Sequence, residues 1–94
     1  IALDAVEGLR RQWAVELGQH GVRVVTLKTG GIPESISDSF EHKQAITDNI
    51  TQQTLLGRAA TLADVGRVAA FIASDHARTI TATEINMSCG AMLD

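Results

Sequence analysis

The run Val22-Arg23-Val24-Val25-Thr26-Leu27 constrains this chain more than any other stretch. It is rich in β-branched residues and apolar toward both sides, the pattern of a strand covered on both faces. Paired glycines and a proline in Thr29-Gly30-Gly31-Ile32-Pro33 end it and open a loop. A second strand-like segment, Glu84-Ile85-Asn86-Met87-Ser88, follows only after a long crossover. Strand, long crossover and strand imply a parallel pair. Two parallel strands do not make a sheet with two covered faces, so the pattern calls for neighbouring strands that this sequence does not contain. The expected fold is α/β, an incomplete piece of a doubly wound parallel sheet.

Three further segments fill the frame. Ala2, Val6, Leu9, Trp13 and Leu17 recur at helical spacing and predict a helix over residues 2–17, bracketed at its end by Gly18 and Gly21. Residues 34–56 are mostly polar, with Ile36, Phe40, Ile46 and Ile50 spaced broadly like one helical face; one or two helices are expected there. Thr61 precedes Asp64 by three residues, close to a capping box, and Val65, Val68, Ala69 and Ile72 form the buried stripe of the helix that follows.

Composition narrows the function. A chain of 94 residues is at most one domain. Its net charge of −3 and the single adjacent basic pair, Arg10-Arg11, argue against nucleic acid as a partner. Arg11 lies four residues after Glu7, the spacing of a helix-surface ion pair. No apolar run approaches the roughly 20 residues of a membrane span, so no membrane partner is expected. Cys89 is the sole cysteine, compatible with a reducing cytoplasm. His20, His42 and His76 lack metal-ligand spacing, and no metal is expected.

Gly30-Gly31 lies where open α/β sheets bind ligands, beyond the carboxyl end of a strand. Glycine there lets backbone approach a cofactor, although a plain turn needs the same residues.

A resemblance gives these pieces a common source. Gly57-Arg58, Asp64-Val65, Phe71-Ile72-Ala73-Ser74-Asp75 and the strand after them resemble the C-terminal end of the short-chain dehydrogenase/reductase family. The stretch from Leu3-Asp4-Ala5 to Glu16-Leu17-Gly18 resembles the helix after its Tyr-x-x-x-Lys motif. Thr29-Gly30-Gly31-Ile32 falls where the family carries a Pro-Gly whose following backbone meets the nicotinamide carboxamide. With Ile1 first in the sequence, these features read as the back third of a nucleotide-binding enzyme.

The resemblance implies that residues 1–94 are the C-terminal part of one Rossmann-like domain, with a substrate lid over about 33–56. It implies NAD or NADP as cofactor, contacted by Gly30 and Ile32. It also implies a small alcohol or carbonyl substrate faced by Ile36 and Phe40, for which ordinary helix packing is an equal alternative. A dimer or tetramer through the last helix and strand is expected too. No catalytic residue is assigned within the chain: it has no tyrosine, and the catalytic lysine would precede Ile1. The chain alone is therefore expected to be inactive.

Departures from the family pattern leave a rival reading. Lys28 replaces a small residue, Thr29 the proline, Val25 a frequent asparagine, and Glu34 a threonine that helps hold the cofactor. Glutamate there would repel cofactor phosphates, so a degenerate, non-catalytic homologue used for binding or assembly is the alternative. Ala82 and Cys89 also stand where glycines are common.

Overall fold

A computed structural model describes residues 2–93 of the chain; Ile1 and Asp94, and the side chain of Ala2 in the predicted stripe, lie outside the described residues. Helix α1 (Ala2–Gly18) leads to strand β1 (Val25–Lys28) and a single 3-10 turn (Pro33–Ser35). Helices α2 (Lys43–Gln52) and α3 (Leu62–Ala73), a second 3-10 turn (Asp75–Ala77) and strand β2 (Thr83–Asn86) complete the order. The strands are parallel, with Val25 opposite Thr83 and Lys28 opposite Asn86.

Side-chain alternation fixes the layers. Val25 and Leu27 line a crevice with Ala69, Ile72 and Ala73 of α3. Thr26 instead bonds Glu7 of α1. Successive strand residues point to opposite faces, so α1 and α3 cover opposite sides of the sheet. This is the Rossmann-type layering expected from the sequence.

The strand itself corrects the reading of residues 22–27. It starts three residues later, because Val22 N–H closes the end of α1 on Leu17 O at 3.2 Å and Val24 N–H donates to Thr81 Oγ1 at 3.0 Å. Its α1 face is polar. Thr26 and its partner Glu84 join Glu7, Arg10 and Lys28 in one network, with Arg10 Nη2 2.7 Å from Glu7 Oε2 and Lys28 Nζ 3.3 Å from Glu84 Oε2. Arg10, only 7% exposed, is therefore the partner of Glu7, and the expected Glu7–Arg11 pair is replaced by one at i, i+3.

Helix α3 starts as its sequence dictates. Thr61 Oγ1 accepts from Asp64 N–H and Asp64 Oδ2 accepts from Thr61 N–H, both at 3.0 Å, a complete capping box. The predicted lid holds one α-helix, within the one or two expected, but Ile36 and Phe40 fall outside it. Only residues 43–52 form a helix; Ser37 and Ser39 bond each other at 2.8 Å, and Ser37 Oγ accepts from Ser39 N–H. Such local bonds compete with helix formation. Ile36 and Phe40 consequently lie in turns.

Neither apolar stripe is buried by these residues alone. Val6, Leu9 and Trp13 remain about half exposed, and no residue of α3 is fully buried. Ala60 and Ala77 are the buried apolar residues among those described.

Candidate cofactor-binding site

The carboxyl ends of the two strands meet at Gly30 and Ser88. Gly30 has φ +67°, and a Cβ there would stand 3.1 Å from Ser88 Cβ. Glycine is needed twice over, for the left-handed backbone and for the close approach. Ser88 is 2% exposed and fixed: its Oγ donates to Asn86 Oδ1 at 2.7 Å and accepts from Met92 N–H at 3.1 Å. Gly31 serves a different neighbour. A Cβ there would lie 3.0 Å from three side-chain atoms of Ile50, so its absence lets α2 close over the loop.

Ile32 follows with φ −119° and ψ 101°, extended as the residue before a proline prefers. Its carbonyl oxygen accepts from Ser35 N–H at 3.0 Å and Ser35 Oγ at 2.7 Å, and Pro33 O accepts from Ile36 N–H at 3.0 Å. The Ile32 N–H donates to no described residue. The Gly30 and Gly31 N–H likewise donate to no described residue, so the loop presents a run of free amide donors around a left-handed glycine, an arrangement suited to a carbonyl or carboxamide oxygen.

Gly30, Ile32 and Ile36 lie along this one continuous turn, with Ile36 half-buried. Phe40 sits apart, half exposed before α2, its ring edge-on to His42. Neither Ile36 nor Phe40 lines the cleft of about 720 Å³ beside β2, whose walls include Leu55, Leu56, Val68, Met87 and Cys89. Among the described residues no group of His, Cys, Asp and Glu is placed to hold a metal ion. No helix of the described residues is long and apolar enough to cross a membrane.

Glu34, at the position of the family's threonine, is exposed on this loop. Its Oε2 accepts from Leu62 N–H at 3.4 Å, which turns the carboxylate to the N-terminus of α3. Ser35, Ile50 and Ser88 complete the loop's surroundings, and sequence reasoning missed all three. The Gly30-Gly31 pair was the available signal, since close approach requires something to approach.

Comparison with known proteins agrees with this geometry. A family model described as enoyl-(acyl carrier protein) reductase matches residues 2–92. A short-chain dehydrogenase/reductase of Armillaria gallica is 32% identical over 94 residues, covering 95% of this chain and 36% of its own. Human (3R)-3-hydroxyacyl-CoA dehydrogenase is 32% identical over 88 residues, covering 94% of this chain and 33% of its own. The solved structure of 4-hydroxyisoleucine dehydrogenase complexed with NADH superposes with TM-score 0.78 at 26% identity, covering 94% of this chain and 36% of that one. An angucycline C-6 ketoreductase with bound NADP gives 0.78 at 26% identity, covering 94% of this chain and 34% of that one. The chain spans about a third of the length of the relatives it matches. With a two-sided parallel sheet, a glycine loop at its carboxyl end and a family match along nearly all its length, the chain belongs to the short-chain dehydrogenase/reductase family.

Proposed function

We propose that this chain forms the nicotinamide-facing loop and substrate-covering segment of a larger NAD(P)-dependent oxidoreductase that acts on a small alcohol or carbonyl compound. The observation that carries the reading is the free Ile32 N–H beside Gly30, whose left-handed backbone closes on Ser88. A bound nicotinamide would supply hydride transfer; this chain's part is to hold the carboxamide, through the Ile32 N–H, so that the ring is oriented. Relatives with NADH and with NADP share the fold, so either cofactor is compatible with it.

Residues 33–56 serve as the lid in this reading, with Ile36 and Phe40 toward the substrate. The contact of Glu34 with α3 takes its charge away from the loop and weakens the case for a degenerate, non-catalytic homologue. Assembly as a dimer or tetramer through α3 and β2 is part of the same proposal.

The test is cofactor titration into the full-length polypeptide that contains this chain. Ile32→Pro removes the donor and should weaken NAD(P)H binding about 10-fold, the scale of one hydrogen bond. In the unaltered protein the Ile32 amide resonance should shift on adding the cofactor. An unmoved resonance, with binding otherwise normal, would discard this loop as the contact.

A further inference from the structure

Helix α3 is capped twice, and only one cap is local. Thr61 and Asp64 satisfy each other in the capping box, which serves the third amide of the helix. The first amide, that of Leu62, is bonded by Glu34 from 28 residues earlier in the chain. A capping box needs no such distant help; a carboxylate at this point adds a favourable charge at the positive end of the helix dipole. It also ties two segments together. Glu34 lies inside the 3-10 turn whose other bonds, Ser35 to Ile32 O and Ile36 N–H to Pro33 O, join residues 32–36 in one hydrogen-bonded turn. Anchoring Glu34 therefore anchors the Ile32 peptide.

On the reading of the Ile32 N–H as the carboxamide donor, we infer that Glu34 is a positioning residue for the cofactor: through Leu62 N–H it fixes the turn that presents the Ile32 amide. The family's cofactor-holding threonine is thus replaced by a carboxylate that acts on the loop from behind. Asp64 at the same helix end is paired separately, with Arg58 at 3.6 Å and Arg67 at 3.3 Å.

The bond can be cut from either side. Glu34→Ala removes the acceptor. Leu62→Pro removes the donor at the first helical position, where proline is tolerated, and Thr61 already holds the extended φ −102°, ψ 166° that precedes a proline well. Leu62 is 52% exposed, so little packing is lost. In the full-length polypeptide, NADH and NADPH affinities are measured by titration for each single variant, for the double variant, for Glu34→Gln and for Ile32→Pro, with thermal midpoints alongside. Each single change should weaken binding about 3- to 10-fold, and the double should be no worse than about twofold beyond the weaker single. Glu34→Gln, which keeps an acceptor oxygen, should retain most of the affinity. Additive losses, tighter binding in Glu34→Ala, or lower midpoints at unchanged affinity would each overturn the inference while Ile32→Pro still weakens binding. Normal binding in Ile32→Pro as well would remove the cofactor reading itself.

Discussion

Ala82 and Cys89 are the described non-glycine residues with left-handed backbone, each at φ +58°. That conformation costs an L-residue roughly 1–2 kcal/mol, because Cβ crowds the following carbonyl oxygen. Ala82 is exposed and is held there by its N–H bond to Val24 O at 2.9 Å, which precedes the first strand pair. Cys89 is held by its own carbonyl, which accepts from Leu55 and Leu56 N–H at 3.0 Å each. Ala82→Gly should therefore stabilise the protein by about 0.5–1 kcal/mol, once the larger unfolded-state entropy of glycine is subtracted. Urea unfolding of the full-length polypeptide checks this, and a loss of stability would show that the strain is relieved elsewhere. Both positions were visible in the sequence as substitutions for family glycines. Their shared backbone state was not, because it depends on bonds to residues far along the chain.

At the scale of elements, α1 is joined to the sheet by charge as well as by apolar contact. Arg10 donates to Glu7 Oε2 through Nε at 3.1 Å and Nη2 at 2.7 Å, and with smaller contributions from Thr26 and Glu84 this lowers the Glu7 carboxyl from 4.5 to about 2. A folded-state value below the unfolded one means stability that is present above about 4.5 and is lost as pH falls toward about 2. The Glu7→Gln variant should thus be less stable than the parent at pH 7, and the gap should close across that window. Chemical unfolding at pH 7 and pH 3 decides it; an unchanged gap at pH 3 would remove Glu7 from the acid response. The elements themselves were largely legible. The helical spacing of residues 2–17 and the capping box at Thr61 are local patterns, and the structure follows them, whereas the last strand, expected over residues 84–88, runs over Thr83–Asn86 and leaves Met87 beyond its end. The polar α1 face of β1 was hidden because Thr26 lies in a run that reads as apolar toward both sides and Lys28 falls beyond that run, until Glu7, Arg10 and Glu84 are brought beside them. Ile36 and Phe40 were misplaced on a helix because Ser37 and Ser39 satisfy the local backbone by turns.

Considered whole, the molecule leaves a large apolar surface uncovered beside β2. Leu55, Leu56 and Leu93 are 74%, 70% and 78% exposed, and the cleft of about 720 Å³ between α3 and β2 is walled by Val68, Met87 and Met92. Contiguous apolar surface of this kind marks an interaction site more often than a free face. In the proposed oligomer this surface meets its own copy. Met87→Lys would place an unpaired charge in that contact and should loosen the assembly. Met87 is only part-exposed and lines the same cleft as Val68, so the same change also strikes the protomer's own packing. Leu56→Lys separates the two effects. At 70% exposure the Leu56 side chain contributes little to the fold of one protomer, whereas its backbone tie to Cys89 O is untouched by the substitution. Sedimentation of the full-length polypeptide should show the oligomer shifting toward smaller species in Leu56→Lys, with the circular dichroism spectrum and thermal midpoint at infinite dilution unchanged. A variant that assembles like the parent would place the contact elsewhere and leave the apolar cleft to the remainder of the polypeptide.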